Sequence, residues 1–151
     1  QPMTLVTGVI DALHELGVHK LVVGTPYLDE VNTAEAEFLT AKGFEILDIQ
    51  GLNLETGTQM GRVTPAYWKQ FALEIDSTEA DAIFLSCGGI RSLEVVEGIE
   101  KQSGKPVITS NQAQMWSCLR RAGIKDRLTG FGQIFQEPGR CISGLGTAKK
   151  E

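Results

Sequence analysis

Residues 86–89, Ser-Cys-Gly-Gly, set one thiol between an apolar run and two glycines. A cysteine at the end of a buried strand is often only a small hydrophobe. The glycines add a second reading. Gly88 and Gly89 leave bare, approachable amides where "DAIFLS" stops looking like a strand and a helix opens near Ser92. Amides at the positive end of a helix suit a carboxylate or enediolate oxygen. One well-aimed donor of this kind is worth about 3 kcal/mol in a transition state. The same field would favour a thiolate, letting Cys87 give and take a proton near neutral pH. Tyr27, three residues past "KLVVG", would bring a hydroxyl to the same edge as a further donor to an anion, or else is a surface aromatic.

Other candidate motifs carry less chemistry. His14 and His19 fall across a helix and its exit without further ligands at metal-binding spacing, so no metal site is expected. The three cysteines are odd in number and widely spaced, matching neither a disulfide framework nor C-x-x-C, which fits a reducing cytoplasm. Cys118 reads as packing inside a helix, and Cys141 lies in a glycine-rich tail. "GIEKQSGKP" fails as a phosphate loop: five residues separate Gly98 from Gly104, and Pro106 stands where Ser or Thr should hold magnesium. "GFGQIF" and "GLGTAKK" lack the third glycine of a dinucleotide turn.

These residues need elements to hold them, and the pattern supplies strand followed by helix four times over. Leu5, Val9, Ala12, Leu13 and Leu16 recur at helical spacing up to Gly17. "KLVVG" is a strand, "NTAEAEFLTAKG" a helix capped by Asn32 or Thr33, and "FEILDIQ" a second strand. A long polar loop, "GLNLETGTQMGRV", precedes a helix starting at Thr64-Pro65 and carrying Trp68, Phe71, Ala72 and Ile75 on one face. "DAIFLS" and "KPVIT" are the remaining strands, followed by "SLEVVEGIEKQSG" and by "SNQAQMWSCLRRAG", capped by Ser110 or Asn111. Such alternation implies an α/β fold with a parallel sheet and helices on both faces, its ligands beyond the carboxyl ends of the strands.

The totals fit this picture. A chain of 151 residues with net charge −5 forms one domain, carries no Lys/Arg cluster for nucleic acid or anionic membrane, and has no apolar run of membrane-spanning length. A small molecule is the expected partner. The opening "QPMTLVTG" has no basic segment ahead of an apolar core and no small-residue cleavage site, so it is not expected to be a signal peptide.

Five ordered motifs, "GTPYLDEVN", "GRVTP", "LSCGGIRSLEVVEGIE", "GKPVITSNQAQMW" and "GFGQIF", resemble the second half of the aspartate/glutamate/hydantoin racemase superfamily. Within it, the branch of arylmalonate decarboxylase and maleate cis-trans isomerase is the most similar. The resemblance implies a flavodoxin-like four-stranded parallel sheet, as in the C-terminal half of a two-domain fold whose halves face each other across a cleft, with no metal or organic cofactor. It implies Cys87 as the catalytic cysteine, Gly88 as the oxyanion donor and Tyr27 as the carboxylate-binding tyrosine; Gly89, Asn53 and Leu54 are expected as further substrate-binding residues. The expected reaction is decarboxylation of a small malonate-like acid through an enediolate. The alternatives are maleate isomerisation, Asp/Glu/hydantoin racemisation, or ligand binding without catalysis. The "SCGG" form leans toward the decarboxylase; Gly57, where the isomerases tend to carry asparagine, leans away from isomerisation. Residues 1–123 would be the α/β domain, and 124–151 a segment that packs on a missing N-terminal half and ends in a loose tail. That half would come from further sequence, from a second chain, or from a homo-oligomer that rebuilds the cleft.

Overall fold

Residues 3–136 are described by a computed structural model, and most element boundaries fall where side chains cap or break them. Thr4 caps α1 (Leu5–Glu15) by accepting the Thr7 amide. Then follow β1 (Lys20–Thr25), α2 (Asp29–Ala41), β2 (Glu45–Gly51), α3 (Gly57–Arg62), α4 (Pro65–Glu74), β3 (Ala82–Leu85), α5 (Val96–Ser103), β4 (Val107–Thr109) and α6 (Ser110–Arg121). Short 3-10 turns occupy Leu93–Val95 and Gln133–Phe135.

The four strands form one parallel sheet in the order β2-β1-β3-β4. The central strands β1 and β3 are buried almost throughout, because helices cover both faces and period-two alternation sends side chains to each layer. Leu21, Val23, Phe84 and Ile108 pack with Leu13 of α1 and Trp116 of α6. Val22, Ile83, Leu85 and Val107 pack with Trp68 and Phe71 of α4 and Ile99 of α5. Both tryptophans are fully buried, Trp68 on the face of α4 that its spacing predicts.

Five expectations need correction. Helix α2 starts at Asp29, so Asn32 and Thr33 are not its caps: Asn32 is buried and accepts the Thr25 hydroxyl at 2.5 Å, a tertiary demand that overrides capping preference. The polar loop contains α3, opened by a capping box in which Thr56 and Gln59 satisfy each other's amides. Helix α6 is capped by Thr109, the last residue of β4, again with a box to Gln112, and not by Ser110 or Asn111. The segment after Ser92 is a 3-10 turn before α5 begins at Val96, and Gly104 at φ 74° closes α5. Cys118 is exposed, because it lies on the outer side of α6 opposite Trp116 and Arg120.

Past Gly123 the chain returns to its own core through Ile134 and Phe135, both buried in the α1/α6 layer. Glu100 ties this return down, accepting the Val107 amide at 3.0 Å and the Gln133 amide at 3.1 and 3.0 Å. Cys141 and the glycine-rich tail lie outside the described residues. Among the described residues no helix is long and apolar enough to cross a membrane.

Candidate active site

From β1 the chain moves to β2 on one side of the sheet, and from β3 to β4 on the other. The loops after β1 and β3 therefore part, opening a crevice at their carboxyl ends. A cavity of about 430 Å³ fills it. Its walls are mostly apolar, with Leu5 and Val9 from α1, Val31 and Phe38 from α2, and Phe84 from β3. The polar groups facing it are Tyr27, Glu35, Ser86, Cys87 and Ser110, together with the backbone of Gly88.

Strand β3 extends one residue beyond its last rung, with the Ser86 amide donating to the Gly24 carbonyl at 2.9 Å. At Cys87 the backbone then turns sharply, taking a φ of 143° that side chains rarely adopt. Such a residue carries about 1–3 kcal/mol of strain and persists only where its surroundings hold it. Here the Cys87 amide donates to Ser110 Oγ at 3.1 Å, and Asn111 Nδ2 donates to the Gly88 carbonyl at 3.0 Å. The helix start that grips the loop is therefore that of α6, and not one near Ser92. The Gly89 amide donates to Cys87 Sγ at 3.2 Å, so a hydrogen-bond donor already faces the place where thiolate charge would form.

Tyr27 reaches the same spot from the end of β1. Its amide donates to Thr25 Oγ1 at 3.1 Å, and its side chain shares the cavity lining with Ser86 and Cys87. Burial, reinforced by the neighbouring Cys87, holds the phenol far above its ordinary pKa, so Tyr27 remains a neutral O–H donor. Glu35, one helical turn after Val31 on α2, lines the same cavity as Ser86. Burial pushes its carboxyl above the usual range, and the bond from Ser86 pulls part of the way back.

Of the residues expected from sequence, Cys87, Tyr27 and Gly88 meet at one cavity. Gly89 is not on its lining but directs its amide at the sulfur. Asn53 and Leu54 stand behind Tyr27: their amides donate to the carbonyls of Tyr27 at 3.2 Å and Pro26 at 2.9 Å. The Leu54 side chain lines a separate surface pocket with Leu52, Val63 and Tyr67. Three residues of the cavity were missed. Ser86 adjoins the cysteine and Ser110 follows a strand, which is a usable signal; Glu35 has none, since only the fold brings α2 to the end of β3. Among the described residues no group of three or more His, Cys, Asp or Glu gathers where it could hold a metal.

The family model for arylmalonate decarboxylase matches residues 2–135 of this chain. The chain belongs to the arylmalonate decarboxylase family. It is 32% identical to an arylmalonate decarboxylase of Bordetella bronchiseptica, over 89% of this chain and 57% of the relative. To a maleate isomerase of Geobacillus stearothermophilus it is 26% identical, over 83% of this chain and 50% of the relative. Among solved structures, a maleate cis-trans isomerase of Nocardia farcinica superposes with a TM-score of 0.84 at 25% identity, over 88% of this chain and 55% of that one. That structure is of a cysteine-to-serine variant with a covalently bound succinylcysteine intermediate. This member of the family thus spans about half the length of the curated relatives it matches, has their α/β fold, and is related to enzymes of both reaction types.

Proposed function

We propose that the protein carrying this chain is a cofactor-independent, cysteine-based decarboxylase of the arylmalonate type, acting on a small malonate-like acid. The supporting observation is the placement of the Cys87 thiol and Tyr27 hydroxyl on one largely apolar cavity. A carboxylate pressed against Val9 and Phe84 loses hydration, which favours its departure as neutral CO2. The C–C bond breaks, its electron pair passes into the remaining carboxylate, and an enediolate forms. Tyr27 and the Gly88 amide would hold that oxygen charge. Cys87 then delivers its proton to the enediolate carbon and is left as a thiolate facing the Gly89 amide. The remaining walls of the cleft would come from protein outside this chain, through further sequence or a second copy.

Maleate isomerisation is the second reading, supported by the relatives of that name and by the Gly89 amide aimed at the sulfur, which would also suit thiolate attack on an alkene. It is favoured less because maleate keeps both carboxylates throughout, and among the described residues no Lys or Arg lines this cavity. The test uses the full-length protein with phenylmalonate and with maleate. Release of CO2 from phenylmalonate, lost on the order of 10²-fold or more in Cys87→Ser, is the expected result. Fumarate formation from maleate without decarboxylation would replace the first reading with the second, and unchanged turnover in Cys87→Ser would remove Cys87 from either.

A further inference from the structure

Two consecutive residues of α6 hold the cysteine loop from outside. The Cys87 amide donates to the buried Ser110 Oγ at 3.1 Å, and Asn111 Nδ2 donates to the Gly88 carbonyl at 3.0 Å. Both residues sit inside the capping box of α6, in which the Thr109 amide donates to Gln112 Oε1 at 2.9 Å and the Gln112 amide to Thr109 Oγ1 at 3.3 Å. The box fixes the backbone that carries them, so their side chains reach the loop from a rigid element.

The Gly88 carbonyl and the Gly89 amide belong to one planar trans peptide and so point in opposite directions. Asn111 holds the carbonyl end, and the amide end donates to Cys87 Sγ at 3.2 Å. A peptide between two glycines turns about its flanking torsions more freely than others, because no Cβ limits it. Without an anchor this unit would be free to swing its amide off the sulfur. We propose that Asn111 is a positioning residue that locks the Gly88–Gly89 peptide with its amide on Cys87 Sγ, and thereby stabilises the thiolate.

For its effect on turnover the inference rests on the assignment of Cys87 as the proton donor. In that step the S–H bond breaks as a C–H bond forms on the enediolate, and the electron pair of S–H stays on sulfur. A donor already aimed at the sulfur stabilises that charge as it develops, with no reorganisation at the moment of transfer. Asn111 is exposed and is not on the cavity lining, so it acts through the peptide and not on the reacting atoms. Gly88 gives it room: a Cβ there would lie 3.2 Å from Leu5 Cδ1 and 3.4 Å from Asn111 Oδ1. The first glycine therefore lets α6 close on the loop, and the second supplies the amide.

The test compares wild type with Asn111→Ala and Asn111→Asp in the full-length protein. Aspartate keeps the shape of asparagine and suits the first turn of a helix, but it has no N–H to give and sets a negative charge against the Gly88 carbonyl. Alanine leaves that carbonyl to water. The first readout is alkylation of Cys87 by iodoacetamide at neutral pH, which reports the thiolate without turnover. Mass spectrometry of the Cys87 peptide separates it from the exposed Cys118. Alkylation should slow by about 3-fold in Asn111→Ala and by about 10-fold in Asn111→Asp. On phenylmalonate kcat should fall in the same order with KM little changed. The urea midpoint of Asn111→Asp should stay at or above that of wild type. A purely structural role gives the opposite order, with Asn111→Asp the closer to wild type. Alkylation of Asn111→Asp at the wild-type rate, or rates that follow the urea midpoints, would overturn the proposal. Since alkylation needs no substrate, that outcome is read separately from the decarboxylase assignment, which stands or falls with Cys87→Ser.

Discussion

Tyr27 and Cys87 line one cavity from the two sides of the gap where β1 and β3 part. These are the two loops that diverge at the switch in strand order, so a ligand entering the crevice finds a phenol and a thiol on one lining. Tyr27→Phe keeps the ring and removes only the hydroxyl. In the full-length protein it should lower kcat by about 10²-fold, with stability to urea within about 1 kcal/mol of wild type. A rate loss matched by an equal loss of stability would mean that the hydroxyl holds the fold and not the intermediate.

Cys87 occupies a backbone conformation that suits glycine, at φ 143°. Cys87→Gly should therefore be more stable than Cys87→Ala by about 1–2 kcal/mol, the reverse of the usual order, because only alanine retains the strained Cβ. Urea denaturation of the two variants measures the difference directly. Both should be inactive, so a gain in stability would accompany the loss of the thiol.

Tyr27 is also held by a glycine across the sheet. A Cβ at Gly51 would collide with the Tyr27 carbonyl oxygen and the Asn32 side-chain amide, whereas one at Gly57 would meet open space. Gly51→Ala should cost about 1–3 kcal/mol and slow turnover by displacing Tyr27. Gly57→Ala, at the first position of α3, should change stability by less than about 1 kcal/mol. Equal effects at the two sites in thermal unfolding and kinetics would refute the idea that Gly51 sets the tyrosine's position.

Glu100 joins α5, β4 and the returning segment through the amides of Val107 and Gln133. Burial raises its carboxyl above the ordinary value of 4.5, and these amides pull it part of the way down. The folded state therefore holds the Glu100 proton more tightly than the unfolded chain does. Its contribution to stability is full below the unfolded value and is lost as pH rises through the folded one. Glu100→Gln cannot titrate, so its stability relative to wild type should improve as pH rises from 4 to 7. Glu100→Ala strands the buried amides and should cost about 2–3 kcal/mol at either pH. Denaturant titrations of the three proteins at pH 4 and pH 7 check both statements.

Local patterning carried the fold well. The apolar spacing of Leu5, Val9, Ala12 and Leu13, the short runs Lys20–Gly24 and Ala82–Leu85, and the glycines ending the helices predict the elements that form. The misplaced boundaries share one cause. Asn32 has good capping chemistry, but it answers the Thr25 hydroxyl inside the structure and not a helix end. Thr109 looks like a strand residue and is one, yet its side chain also starts α6. Helix α3 was legible through the Thr56-x-x-Gln59 box, but its glycines and polar residues look like loop because no buried residue marks a face.

The thiol beside its glycines, the tyrosine past the first strand, and the strand–helix alternation that brings them to one edge follow from residue order alone, because period, capping and turn chemistry act over a few positions. The rest required three dimensions. No local rule brings Glu35 on α2 to Ser86 at the end of β3, aims the Gly89 amide at sulfur, or places Ser110 under the Cys87 backbone. Such contacts are set by how the helices pack on the twisted sheet, which depends on every side chain in the core at once.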